Sequence, residues 1–228
     1  VAPTRTDVLR TKRAAGAAYV RSGSAAVVLP VLALLVAARA ATGRWGVADV
    51  VVAAGVLASA GPVEWFVHRR VLHAPEDAWT SRRLGTGRGH RRHHLDPPEL
   101  AWLLLRPVDA VAFLVALGAL TTAWCAPLLR AIGTDAWPAL LTAWTLVAAG
   151  LAHYEWTHLL AHSPHRLRSR RYARLARDHR RHHYRNERYW LGVTSQAGDR
   201  LMRTLPATLD EVPRSATART LADSTSSG

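Results

Sequence analysis

Apolar residues in this chain gather into four blocks separated by polar, arginine-rich stretches. The blocks run Ser22–Ala41, Gly46–Val67, Pro107–Leu129 and Ala136–His153, and the last is expected to continue as a helix past the membrane. Each has roughly the 20 residues that a helix needs to cross a bilayer core. Pro30 and Pro62 lie inside blocks, which membrane helices tolerate better than soluble ones. Arg39, Asp49 and Glu64 weaken the first two blocks. The pattern predicts an all-α integral membrane bundle of four transmembrane helices, with the polar segments forming a cytosolic helical cap.

Charge decides against the same blocks being buried helices of a soluble bundle. All but three of the 30 basic side chains lie in the N-terminal arm, in 68–106 and after 162; Arg39, Arg44 and Arg130 are the exceptions. Four crossings put those rich segments on one side, and the positive-inside rule makes that side the cytoplasm. Both termini are therefore expected to be cytoplasmic, in what reads as a bacterial plasma membrane. The first block resembles the apolar core of a signal peptide but is longer, so a retained anchor is expected. The divisions read as a basic arm over 1–21, a membrane-embedded domain over 22–204 and a disordered tail over 205–228, where large apolar residues are scarce. The single cysteine, Cys125, excludes an internal disulfide and any Cys-rich metal site.

Ten of the twelve histidines fall in a repeat. The sequence HRRHH occurs at 90–94 and again at 179–183. Before the first copy stand Glu64, Trp65, His68 and His73; before the second stand Glu155, Trp156, His158 and His162. The same 17-residue interval separates His73 from His90 and His162 from His179. Each set follows two apolar blocks, so both emerge on the same side of the membrane.

Residues three and four apart share a helix face, so each HxxHH can grip one ion or divide its nitrogens between two. His158 and His162 are also one turn apart, whereas His68 and His73 do not stack on an ideal helix and are expected to straddle a helix end. Neutral imidazole suits zinc, copper, iron and nickel rather than calcium or magnesium. Ten imidazoles exceed the needs of one ion, and two ions with about five nitrogens each is the natural arithmetic. Two redox metals at a membrane surface point to dioxygen activation on a lipid chain. HRRHH alone would read as a basic patch for anionic lipid or nucleic acid. Four matched clusters favour metal instead, and no nucleic-acid partner is expected.

The four clusters closely resemble those of the fatty acid hydroxylase / sterol desaturase superfamily of integral membrane di-iron enzymes. The resemblance covers roughly 46–200: HxxxxH is His68–His73, the first HxxHH is His90, His93 and His94, HxxxH is His158–His162, and the second HxxHH is His179, His182 and His183. It implies two iron ions on these ten residues, with zinc able to replace iron in isolated protein. It further implies O2 as co-substrate and hydroxylation or desaturation of an unactivated C–H bond in a lipid such as a fatty acyl chain or sterol. Nothing in the sequence resembles the fused cytochrome b5 of larger relatives, so an external donor such as a ferredoxin with its reductase is expected. The alternatives are a carotenoid ring hydroxylase and, in another class, a membrane metal-binding or transport protein.

Glu64, Glu155, Asp178 and Asn186 are candidates for hydrogen-bonding the ligand imidazoles from behind. Glu187 after the last cluster is of the same kind, and NERYWLGVT at 186–194 is expected to wall the substrate path. Trp65, Trp102, Trp156 and Tyr184 read as an interfacial belt, and His153 and His165 fall outside the ligand pattern.

Overall fold

The computed structural model describes residues 4–134 and 136–215. Those residues are helical, with no strand beyond one isolated bridge between Arg5 and Glu99. The order is a 3-10 turn (Thr6–Val8), α1 (Lys12–Val20), α2 (Gly23–Ala41), α3 (Val47–Val67) running into a π-helical turn (His68–Leu72), α4 (Trp79–Leu84), α5 (Thr86–Leu95), α6 (Leu100–Leu103), α7 (Pro107–Ala131), α8 (Ala136–His162), α9 (Arg170–Tyr184) and α10 (Ala197–Leu201). The punctuation follows residue chemistry. The Ser22 hydroxyl accepts from Ala25 N at 3.2 Å to cap α2. Pro107 opens α7, where its missing N–H costs nothing. Gly43 and Gly133, at φ 63° and 67°, take the left-handed conformation just after α2 and α7.

Among the described residues, three helical stretches are long and apolar enough to cross a membrane: Gly23–Ala41, Val47–Leu72 and Leu100–Ala131. They make the chain a membrane protein. The fourth expected block does form the helix α8, continuous to His162 as anticipated, but it is not among the three.

The chain divides into two compact units. One comprises Val20–Ala60 and Leu105–Glu155. Its interior is made by Val52 and Val56 of α3, Cys125 and Leu129 of α7, and Ala139, Leu140 and Ala143 of α8. A second cluster joins Val28 of α2, Ala110 of α7 and Leu151 of α8. Small residues let these helices approach: a Cβ on Gly55 would come within 2.5 Å of the Trp124 ring. Outward positions stay apolar, with Leu34 70% and Val115 66% exposed, as a lipid-facing surface requires.

The charges that weakened the first two blocks prove to be partners. Arg39, 2% exposed, donates from Nη2 to Asp49 Oδ1 at 2.7 Å and to the Arg44 carbonyl at 2.7 Å. Thr142 Oγ1 donates to the same Asp49 oxygen at 2.5 Å, and Gly46 N reaches the other at 2.9 Å. The Trp45 ring lies 3.6 Å from the guanidinium carbon. A buried pair satisfied this fully tolerates joint replacement better than the loss of one member.

The other unit comprises Val1–Tyr19, Gly61–Leu104 and Trp156–Gly228. The basic arm is anchored in it: Thr6 N donates to Pro98 O and Leu100 N to Thr4 O, both at 2.8 Å, while Arg5 grips Asp96 through two bonds of 3.0 and 3.2 Å. In α9 one face is buried (Leu175, Ala176, His179, His182, His183) and arginines fill the other. Part of the tail expected to be disordered is also ordered. Val212 is fully buried, Arg185 Nε donates to its carbonyl at 2.7 Å, and Asn186 Nδ2 donates to Pro213 O at 3.0 Å. Backbone carbonyls there compensate for the lack of large apolar side chains; the rest of the tail, 216–228, lies outside the described residues.

Replacing Arg39 by Met leaves Asp49 buried without its cation and is expected to destabilise the protein by about 3–5 kcal/mol. Arg39→Met combined with Asp49→Leu should recover most of that loss. Thermal unfolding of the detergent-solubilised single and double variants measures the difference.

Candidate metal centre

All ten histidines of the repeat lie in one unit, and their rings converge as two groups of five. The first comprises His68, His73, His90, His94 and His182; the second comprises His93, His158, His162, His179 and His183. Within each group one ligand atom per residue lies within 4.8 Å of every other. Each half of the repeat supplies four residues to its own group and one to the other. The outer pair of an HxxHH, one turn apart, stays with its own half, and the middle histidine crosses over. His94 and His183, one from each group, stack with ring centroids 4.1 Å apart.

Local structure explains how the unequal spacings HxxxxH and HxxxH perform the same task. His158 and His162 sit one turn apart on regular α-helix, with ring centroids 5.1 Å apart. In the first half the backbone widens to a π turn, in which His73 N donates to His68 O at 3.1 Å. That i→i+5 bond absorbs the extra residue, and the His68 and His73 rings also end 5.1 Å apart. The helix does end at His73, but the wider turn, rather than the chain's exit from the helix, brings the pair together.

The nitrogens face one another at distances hydrogen bonding does not explain. His90 Nε2 lies 3.1 Å from His68 Nε2, 3.1 Å from His73 Nε2 and 3.2 Å from His94 Nε2. His182 Nε2 lies 3.1 Å from His73 Nε2 and 3.2 Å from His94 Nε2. In the second group His179 Nε2 is 2.9 Å from His162 Nε2 and 3.0 Å from His183 Nε2. A neutral imidazole has one N–H and one lone pair, so one proton cannot serve three facing nitrogens. Nitrogens at adjacent corners around a transition-metal ion, each about 2.1 Å from it, are about 3.0 Å apart. The donor set, its number and its spacing thus fit a cation in each group.

The other ring nitrogens fix which form each imidazole takes. His68 Nδ1 lies 2.5 Å from Leu191 O and His182 Nδ1 2.9 Å from Tyr189 O. A carbonyl only accepts, so both Nδ1 atoms carry the proton and both Nε2 lone pairs point into the first group. His158 has the backbone of Leu103 as a partner. His93 is fully buried, and neither of its ring nitrogens has a hydrogen bond.

The four polar residues expected behind the imidazoles hold other groups. Glu64 accepts from Val193 N (2.5 Å) and Thr194 N (2.8 Å) through Oε1 and from the Thr194 hydroxyl through Oε2 (2.5 Å). Glu155 accepts from Leu105 N at 2.9 Å. Asp178 binds Arg181 at 3.1 Å and Gln196. Asn186 accepts from Arg188 N at 3.0 Å and donates to Pro213 O. Glu187 accepts from Ser215 Oγ at 2.5 Å. The partners found on His68 and His182 are backbone carbonyls, which carry no mark in the sequence. The stretch at 186–194 therefore contributes through its backbone, and Asp199, which no motif singled out, holds it: it accepts from Leu191 N at 2.9 Å and Gly192 N at 2.7 Å.

The expected aromatic belt residues also have protein partners. Trp65 Nε1 donates to Thr204 Oγ1 at 2.8 Å, Trp102 lies 4.5 Å from the Arg92 guanidinium, Trp156 packs near Tyr19 and Tyr184 near His183. His153 and His165 belong to neither group. A cavity of about 580 Å³ opens against His162, with Thr6, His165, Arg166, Arg180 and Tyr184 in its wall.

Comparison with known proteins agrees with this arrangement: the fatty acid hydroxylase family model matches residues 51–204. The chain belongs to the fatty acid hydroxylase family. That family is part of the sterol desaturase / fatty acid hydroxylase superfamily, and the matched segment contains all ten clustered histidines. No curated protein and no solved structure matches the chain. Family membership makes it an oxidoreductase.

Burial, above all, holds the imidazoles of His90, His93, His94, His179, His182 and His183 well below the ordinary histidine range, and neighbouring imidazoles push the same way. They are neutral in the folded protein and able to ligate. In the unfolded chain they protonate near pH 6.5. The unfolded state then binds more protons, so the stability of the metal-free protein is full above about pH 6.5 and is lost as pH falls below it. Melting temperatures between pH 8 and 5 should fall steadily below that point. A flat profile would mean that the rings are not buried.

Proposed function

We propose that this fatty acid hydroxylase family member is a membrane-bound di-iron oxygenase that hydroxylates or desaturates a lipid, using O2 and electrons from a separate protein. The observation that carries the reading is the pair of five-imidazole groups sharing a wall, each with nitrogens spaced as a transition metal requires. The ten ligands are His68, His73, His90, His94 and His182 for one ion, and His93, His158, His162, His179 and His183 for the other. Bound iron would supply what no side chain here has, one-electron chemistry and activation of dioxygen toward an unactivated C–H bond.

The chain's own part is binding, orientation and exclusion of water. Neutral rings present lone pairs without first losing a proton. Carbonyls of Tyr189 and Leu191 fix two of those rings, and His93, His179 and His182 are fully buried, so bulk water is kept from the centre. No acid or base is needed at the lipid carbon. The centre works at the cytoplasmic side, a reading supported by the arginine-rich segments that carry it. An acidic donor such as a ferredoxin is the expected partner, drawn to the basic residues Arg166 and Arg180 around the cavity at His162.

Expression of the chain under ¹⁸O2, followed by analysis of cellular lipids, tests the reading. A lipid alcohol carrying ¹⁸O is expected for hydroxylation, and a new double bond without label for desaturation. His93→Ala should reduce either product to background while the protein still reaches the membrane. Product found only in carotenoid-producing cells would favour a carotenoid ring hydroxylase. A variant that changed metal flux but formed no less oxidised lipid would favour a transporter.

A further inference from the structure

Building on the two-ion reading, we propose that Asp199 is the positioning residue for one of the two metal positions, that of His68, His73, His90, His94 and His182, and leaves the other untouched. The chain of contacts starts at the rings. His68 and His182 hold their Nε2 lone pairs toward the group because Leu191 O and Tyr189 O take their Nδ1 protons. Those carbonyls flank Trp190, whose φ of 52° is the left-handed region that a residue of its size avoids. Such a conformation persists only where its surroundings over-determine it.

Asp199 supplies that determination. Fully buried, its carboxylate accepts from Leu191 N (2.9 Å) and the Thr204 hydroxyl (2.6 Å) through Oδ1, and from Gly192 N (2.7 Å) through Oδ2. Thr204 closes the knot through the backbone: Trp190 N donates to Thr204 O at 3.1 Å, and Thr204 N donates to Asp199 O at 2.8 Å. The carboxylate cannot drift, because α10 lies hard against the last turns of α3. A Cβ on Gly198 would come within 2.5 Å of both Gly61 O and Trp65 Cβ. The same helical run delivers His68 a few residues later. Asp199 is thus tied to one wall of the group and fixes the carbonyls that orient two of its rings.

The second group has no such support. His158 uses the backbone of Leu103, while the Nδ1 atoms of His93, His179 and His183 have no hydrogen-bond partner. Loss of Asp199 should therefore be felt at one position only. An Asn there can accept at Oδ1, but its NH2 would face the Gly192 N–H as donor against donor.

The test uses zinc as a redox-silent probe, titrated against a chelator into the full-length, metal-stripped protein in detergent, with bound metal counted by elemental analysis. Wild type is expected to bind two ions. Asp199→Asn should weaken one of them by about 10–100-fold, the usual effect of losing a partner that orients a ligand. The other ion should keep its wild-type affinity. Thr204→Val, which removes one of three donors from the carboxylate, should give a smaller shift at the same ion and serves where the Asn variant fails to fold. Asp96→Asn, which weakens only the Arg5 contact, should leave both ions unchanged.

Two ions at unchanged affinity in both Asp199→Asn and Thr204→Val would overturn the proposal, as would equal weakening of the two. If wild type itself failed to bind a pair, the two-metal reading would fall, and this proposal with it. Intact selectivity in a protein that oxidises no lipid would uphold the role of Asp199 while sinking only the proposed activity.

Discussion

Ten imidazole rings crowded so that the Nε2 atoms of eight of them stand about 3 Å from a neighbour's are a demand on the whole unit that contains them. Their lone pairs repel, their protons are too few to pair them all, and burial takes away the water that would otherwise serve each nitrogen. The surrounding structure answers in two ways. It fixes some rings by giving the outer nitrogen a backbone carbonyl, as at His68 and His182, and it leaves others, such as His93, held by packing alone. A cation in each group would resolve the conflict, and metal binding and the stability of this unit would then be one problem.

The two halves of the repeat solve it by exchange. Each HxxHH keeps its outer pair and sends its middle histidine across, so neither group can be assembled by one half alone. The stacked contact of His94 with His183 joins the two groups at their boundary. The halves are not copies in detail. The first carries an extra residue between its leading histidines and accommodates it with a π turn, whereas the second stays on regular helix. The supports differ as well: the 189–194 loop, fixed by Glu64 and Asp199, serves rings of one group. The two groups thus have similar donors but unlike supports.

The unit formed by Val20–Ala60 and Leu105–Glu155 is built on different physics. Its apolar clusters are small, and large aliphatic residues face outward, as expected where lipid rather than water surrounds the helices. With little hydrophobic drive between helices, close packing at Gly55 and a satisfied Arg39–Asp49–Thr142 cluster carry more of the cohesion.

Much of the candidate centre was legible in the chain itself. Histidine is rare enough that its spacing stands out, and a helix converts a spacing of three or four into a shared face, so the ten residues and their grouping into clusters could be read directly. Apolar blocks likewise carry their meaning in composition, and three of them form helices long and apolar enough to cross a membrane among the described residues. Tertiary structure alone decided which histidines share a group, because that depends on two distant helices facing each other. It also decided what stands behind the rings. The carboxylates that looked suited to that task bind backbone N–H groups, as Glu64 and Glu155 do, or neighbouring side chains, as Asp178 does, and carbonyls of Tyr189 and Leu191 hold two of the rings. Every residue has a carbonyl, so no sequence pattern distinguishes the ones that matter; only folding, by fixing where each points, selects them.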